Sequence, residues 1–373
     1  MTGFPENTEQ MKIAIVGGGI NGVMSGWSIA SRGHQVDLYE AGELISATSS
    51  ASTKLIHGGL RYLEHGEFRL VRESLRERTF WISAAPDLVH PIEIIVPVYK
   101  QSRRSRCLMH FGLLLYDLLA GKSRLGRFRW ISSSQMAECC PELEPVELQG
   151  GFAFFDAQMN DQALGLWAAN KAAENGVKLH QGTEIHSIRQ DGEIQVHGEW
   201  KKYDVVVNVA GPWAEAMLDR SGIQHDHRLD LVRGSHIVLG RDARHAFLVE
   251  APGEERLCFI LPYQGKTLVG TTEVRQSLAD PITCSPQERS YLLKIHNRYI
   301  RQTASDENIV HTFAGLRPLI RSNANQSRAT REYAIETRGR VVSVFGGKWT
   351  TSRALGEKVA TTVEELIRRQ GKA

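Results

Sequence analysis

KIAIVGGGINGVMSGWSIASRGHQVDLYE, residues 12–40, decides how the chain begins. KIAIVGGG is a short apolar run of the buried-strand type, and NGVMSGWSIASRG reads as a helix that Gly33 stops. HQVDLYE is a second strand ending at Glu40. Strand, helix and strand in this order make a βαβ unit. Gly17, Gly19 and Gly22 place GxGxxG at the first strand-to-helix turn. The first glycine permits the turn, the second lets a pyrophosphate approach the backbone, and the third lets helix and strand pack closely. The phosphates then lie at the positive end of the helix. Ile20 and Asn21 sit inside the motif and belong to the expected cofactor contacts. Glu40 is placed to accept from a ribose, and its charge disfavours a 2′-phosphate. The motif predicts a dinucleotide and does not separate FAD from NAD.

Beyond this unit the chain is ordinary in bulk. Its 373 residues suit about two domains, with 42% hydrophobic and 23% charged residues. A net charge of +3 is too small to suggest nucleic acid. Cys107, Cys139, Cys140, Cys258 and Cys284 are odd in number and form no CxxC, which favours a reducing compartment over a disulfide framework. The first ten residues carry no basic or apolar signal region. The run FGLLLYDLLAG is too short to span a bilayer. A cytoplasmic protein is expected, with association at the cytoplasmic face of a membrane open.

Helical patterns recur at residues 67–84, 108–120 and 161–176, and several strands separated by Gly and Pro turns run from 230 to 273. Asp191-Gly192 marks a hairpin. The 108–120 helix is apolar and flanked by Arg103, Arg104 and Arg106 before it and by Lys122, Arg124, Arg127 and Arg129 after it. That pattern suits a helix on an anionic membrane surface and equally a buried helix with solvated ends. VVSVFGG is a late strand leading into a final helix. Rossmann-type segments at the start, middle and end predict a mixed α/β fold of two interleaved domains. The dinucleotide domain takes residues 1–90, 160–230 and 335–373; an antiparallel-sheet substrate or cap domain takes 91–159 and 231–334.

GGGINGV, TSSASTKLIHGGLRYLEHGEFRLVRESLRER, NVAGPWA, RGSHIVL, FILPYQGKTLVGTTEV, FAGLRPL and SVFGGKWTTSRAL, in this order, resemble flavin-dependent glycerol-3-phosphate dehydrogenases. The resemblance runs from about residue 12 to about 359. It implies FAD, a two-domain fold like that of D-amino-acid oxidase and glutathione reductase, and oxidation of glycerol 3-phosphate to dihydroxyacetone phosphate. It implies a quinone as acceptor; related short oxidases use O2 and release H2O2. Another hydroxy acid or amine as substrate, and a role as the flavin subunit of a larger complex, are the remaining alternatives. Four departures stand out: Glu273 where the family usually has Asp, Ser352 where it usually has Tyr, NDQALG at residues 160–165 in place of the usual DARL-like stretch, and no segment corresponding to the usual C-terminal helical domain.

The resemblance assigns roles to particular residues. Thr48, Ser49, Ser50 and Ser52 are small enough for the cofactor to approach, and Lys54, Leu55, His57 and Gly58 continue along it. Ala210, Gly211 and Trp213, with Gly347, Lys348, Trp349 and Thr350, complete the cofactor set. A phosphate dianion calls for arginine forks, and Arg61 with Tyr62, and Arg317 beside Pro318, are the candidates. Lys348, also counted among the substrate-binding residues, brings a cation to the strand-to-helix turn, where negative charge develops on flavin reduction. His236 is the first candidate for proton acceptor, with His57 second and Arg317 available to steady an alkoxide. No metal site is read: His225 and His227 flank Asp226 without convergent partners, and are expected in solvent.

Overall fold

The computed structural model describes residues 10–321 and 333–370; the N-terminal reading of residues 1–9 lies outside them. The chain divides into two compact units. One takes the residues up to Ser50, Gln162–Leu231 and the residues from Arg317 onward; the other takes Ala51–Asp161 and Val232–Leu316.

The first unit is built on a six-stranded sheet. Its order is Tyr333–Arg338, Val341–Gly346, Val205–Asn208, Lys12–Val16, Gln35–Tyr39, Val177–His180. All neighbours run parallel except the first pair. Lys12–Val16 is central, with Val16 opposite both Asn208 and Tyr39. Ile13, Ala14, Ile15 and Val205 to Val207 are fully buried. A strand covered on both faces needs apolar residues at every position, which is why these segments read as runs rather than alternations. Helix Ile20–Ala30 begins directly after Gly19 and packs on the final helix, Ser352–Gln370. A Cβ on Gly356 would sit 2.5 Å from the Met24 carbonyl oxygen, so glycine sets how closely these helices approach. A small sheet, Ile185–Ile188, Glu193–Val196 and Glu199–Lys202, carries the expected hairpin, with Gly192 at φ +96°.

The second unit is a large, mostly antiparallel sheet between two helical layers. Its successive side chains point to opposite faces. Ile94, Leu248, Leu261 and Leu268 meet Leu75 and Leu113 from helices Phe68–Ala84 and Arg106–Ala120. Their neighbours Ile95, Phe247, Ile260 and Val269 meet Leu292 and Ile295 from helix Pro286–Tyr299.

The boundaries differ from those read in the sequence. The first lies after Ser50 rather than residue 90, because Leu55 and Ile56 pair with Gln158 and Ala157 and helix Phe68–Ala84 buries Val71 and Leu75 in the second core. The last lies before Arg317 rather than at 335. The middle boundaries fall at Asp161/Gln162 and Leu231/Val232. Strand Ile309–Ile320 runs on through Arg317 and Pro318. Proline's extended φ and missing N–H are tolerated at strand positions that need no ladder donor.

The two readings of the 108–120 helix divide by face. Ser105 caps it, its Oγ accepting from the Leu108 amide at 3.2 Å. Met109, Leu113, Tyr116 and Ala120 are buried, while Leu108, Phe111, Leu114 and Leu118 are 50–74% exposed. No helix among the described residues is long and apolar enough to cross a membrane.

Candidate active site

The first unit holds the glycine turn marked by the sequence motif. Gly17 has φ +115°, and a Cβ there would lie 2.5 Å from the Val209 carbonyl oxygen. A Cβ on Gly22 would lie 1.9 Å from the Gly17 carbonyl oxygen, so helix and turn touch through backbone alone. Glu40 locks the loop: its carboxylate accepts from Gly18 N–H at 2.7 Å and Gly42 N–H at 2.9 Å. A carboxylate has about four acceptor positions, so capacity for a ribose remains. Ser49 Oγ accepts from Ile20 N–H at 3.0 Å, and the Trp349 indole donates to Ser49 O at 2.9 Å. Thr48 to Ser50 form a 3-10 turn, with Ser50 Oγ donating back to Ser46 and Ala47.

The other edge of this turn is also close-packed. The Cβ position of Gly17 is 2.9 Å from the Ala210 Cα; Gly211 follows with φ +54°, and Trp213 is 41% exposed. Gly346 and Gly347 turn the last strand with φ +80° and +101°, conformations that favour glycine. Half-buried Lys348 and buried Thr350 follow, ahead of the helix that starts at Ser352. A Cβ on Gly347 would meet the Asn21 amide nitrogen at 2.5 Å. Asn21 Oδ1 is buried with no hydrogen-bond partner among the described residues. A buried acceptor left this way costs about 1–3 kcal/mol unless a ligand donates to it. The ribityl hydroxyls of a flavin are donors of the required kind.

Ser52, Lys54, Leu55, His57, Gly58, Arg61, Tyr62 and His236 fall in the second unit. Asp161, fully buried, gathers the start of this segment. It accepts from Ser52 N–H at 3.0 Å, Ser52 Oγ at 2.7 Å and the Lys54 ammonium at 2.7 Å. Lys54 has φ +61°, and its amide and carbonyl are bonded to Ser52 Oγ and Met159 N–H. Its backbone and its charge are thus engaged within the protein. His236 is 1% exposed, stacked on Phe313 at 4.7 Å between ring centroids, with Nε2 3.0 Å from Thr53 Oγ1. Leu55 and Ile56 form a short strand, His57 is half-buried near Phe259, and Gly59 takes φ +77° over the Tyr62 ring. Arg61 lies 3.9 Å from Glu273, whose other oxygen lies 3.8 Å from Arg256.

A model of the FAD-dependent oxidoreductases (DAO) matches residues 12–362. The chain belongs to this FAD-dependent oxidoreductase family. Among relatives, it is 35% identical over 388 residues to the glycerol-3-phosphate dehydrogenase of Pseudomonas aeruginosa, covering 98% of this chain and 74% of that one. It is 35% identical over 382 residues to the D-erythritol 1-phosphate dehydrogenase of Brucella abortus, covering 97% and 75%. Its fold matches the FAD complex of the Bacillus halodurans glycerol-3-phosphate dehydrogenase with a TM-score of 0.77 and 24% identity, over 96% of this chain and 65% of that one. The flavoenzyme therefore lies within the flavin glycerol-3-phosphate dehydrogenase branch, and FAD is its cofactor. Gly17 to Gly22, Glu40, Ser49 and Asn21 are the residues that fit it best.

Several groups at this flavoenzyme's site carry no motif. Asp161 opens helix Asp161–Glu174 and Arg256 precedes strand Leu257–Tyr263, and neither is among the candidate residues read from the sequence. Phe313 and Thr53 gain meaning only once His236 is placed beside them. His225, expected in solvent, has a side chain only 2% exposed, with Nε2 3.0 Å from Asp219 and the ring against Phe345.

Proposed function

We propose that this flavoenzyme oxidises sn-glycerol 3-phosphate to dihydroxyacetone phosphate, and that its electrons go to a quinone at a membrane surface. When bound, FAD is the two-electron acceptor. Both relatives named above carry a polyol phosphate in their names, which supports the substrate class. Arg61, 3.9 Å from Glu273, brings the planar fork of donors that suits a phosphate, and Tyr62 follows it in the chain. Thr53 Oγ1 and His236 Nε2, 3.0 Å apart, form a relay that can accept the hydroxyl proton. Arg317 and Lys348 keep the roles implied by resemblance: phosphate or alkoxide stabilisation, and a cation for the reduced cofactor.

The exposed face of helix Arg106–Ala120 carries the acceptor half of this reading. Phe111, Leu114 and Leu118 lie outward at helical spacing, and Arg106, Lys122, Arg124 and Arg127 are exposed around them. An apolar stripe ringed by cations complements an anionic lipid surface. Beside it lies a cavity of about 240 Å³, walled by Leu60, Leu63, Met109, Phe111 and Leu115 with Arg61 at its lining. A lipophilic acceptor arriving from a bilayer suits such walls.

The test is turnover of purified FAD-loaded protein with sn-glycerol 3-phosphate, D-erythritol 1-phosphate and glycerol, against a short-chain quinone and against O2. Quinone reduction with sn-glycerol 3-phosphate and none with glycerol is expected. Stoichiometric H2O2 without quinone reduction would make the protein an oxidase, and preference for the four-carbon phosphate would change the substrate.

A further inference from the structure

Three elements of the second unit bring polar groups to one buried point beneath the His57–Tyr62 segment. Helix Phe68–Ala84 supplies Arg78, helix Arg106–Ala120 supplies Tyr116, and strand Leu148–Met159 supplies Asp156. All three are at most 2% exposed. Arg78 donates to Asp156 Oδ1 at 2.7 Å, Phe155 O at 2.9 Å and Ser123 O at 2.7 Å. The Tyr116 hydroxyl lies 2.8 and 2.9 Å from the two Asp156 oxygens. The Gly58 amide then donates to Tyr116 Oη at 2.8 Å and to Asp156 Oδ1 at 3.2 Å. Burial, reinforced by the Asp156 charge, holds the Tyr116 phenol well above its usual range, so it stays protonated and donates.

Stability alone does not account for this group. A buried ion pair can often be replaced by well-packed apolar residues with no loss of stability. What the polar version adds is direction: a phenol, a carboxylate and an amide meet in one arrangement. There is also no slack. A Cβ on Gly58 would lie 2.4 Å from Tyr116 Oη and 2.6 Å from Leu75, so the backbone rests directly on the network. One residue before it is His57, and three and four residues after it are Arg61 and Tyr62.

We propose that Tyr116 and Asp156 are positioning residues for substrate binding: they fix the backbone at Gly58 and thereby aim Arg61 and Tyr62. The inference rests on the reading above that Arg61 holds the substrate phosphate. Neither residue belongs to a motif, and Tyr116 comes from a helix whose other face is exposed.

The experiment compares FAD-loaded wild type, Tyr116→Phe and Arg61→Ala. It measures KM for sn-glycerol 3-phosphate, KM for a dye acceptor, FAD content and melting temperature. In Tyr116→Phe the Gly58 amide keeps its bond to Asp156, so the fold and FAD content are retained. KM for sn-glycerol 3-phosphate should rise about fivefold or more, the effect of one hydrogen bond, while KM for the dye stays put. If Tyr116→Phe fails to load FAD, the combined Arg78→Met, Asp156→Leu, Tyr116→Phe variant fills the same space without polar groups. Folding with a raised substrate KM again supports the proposal. An unchanged substrate KM in a folded variant, while Arg61→Ala raises it, overturns the proposal alone. An unchanged KM in Arg61→Ala removes both this proposal and the reading it rests on.

Discussion

Glu40 and Glu288 show how single carboxylates hold the two units. Glu40 accepts the Gly18 N–H of the glycine loop and the Gly42 N–H just after its own strand, so Glu40→Ala leaves both without their acceptor. Reconstitution of apoprotein followed by flavin fluorescence should show FAD affinity reduced at least tenfold, about 1.4 kcal/mol. Glu288 lies where the strand carrying His236 meets the segment after Gly270. Burial disfavours its charge, but hydrogen bonds from Thr272, Ser285, Ser235 and Arg233 together outweigh burial and bring it down to about 2. Its folded pKa lies below the ordinary 4.5, so its contribution to stability is complete above that pH and is lost as the pH falls from 4.5 toward 2. Glu288→Gln should therefore lower the melting temperature at pH 7 and flatten its fall over that acidic window. Parallel melting curves for both proteins across pH 2 to 5 would count against this assignment.

Helix Arg106–Ala120 is the element whose sequence pattern admitted two readings, because it is apolar nearly all round. Periodicity marks which residues share a face but not which face a neighbour covers. Leu75 and Leu268 cover Leu113, whereas Phe111 and Leu118 remain 67% and 74% exposed. Burying each in lipid is worth roughly 1.5–3 kcal/mol. Phe111→Ser with Leu118→Ser should thus weaken binding to anionic vesicles by a hundredfold or more, with substrate turnover by a soluble dye kept. Raising the salt should weaken wild-type binding as well, since the surrounding arginines and Lys122 are exposed. Sedimentation with vesicles measures both; equal binding by the double variant would remove the membrane contact from this helix. The glycine turn, by contrast, was legible from its first residues, since its function needs backbone conformations that few other sequences permit. Gly22→Ala tests it: its Cβ would lie 1.9 Å from a backbone oxygen, and FAD loading should be lost.

At the scale of the whole molecule, legibility followed locality. The parallel pair Lys12–Val16 and Gln35–Tyr39 and the hairpin at Gly192 follow from neighbours in sequence. The boundary after Ser50 does not, because it depends on Leu55 and Ile56 pairing with residues a hundred positions away. Arg61, Tyr62, His236 and Arg317 were named from motifs alone. Asp161 beneath Ser52 and Lys54, and Tyr116 beneath Gly58, escaped notice because their meaning lies in contacts across the fold. A buried carboxylate has no signature until its partners are placed. Arg317→Ala should reduce kcat/KM for sn-glycerol 3-phosphate at least tenfold, about 1.4 kcal/mol; unchanged kinetics would take this arginine out of the site. The central claim is that this flavoenzyme removes two electrons from a polyol phosphate. Anaerobic mixing of the purified, FAD-loaded protein with sn-glycerol 3-phosphate tests it most directly. Loss of the oxidised flavin absorption with sn-glycerol 3-phosphate and its persistence with glycerol are expected; an absorption that persists with both would show that a polyol phosphate is not the electron donor.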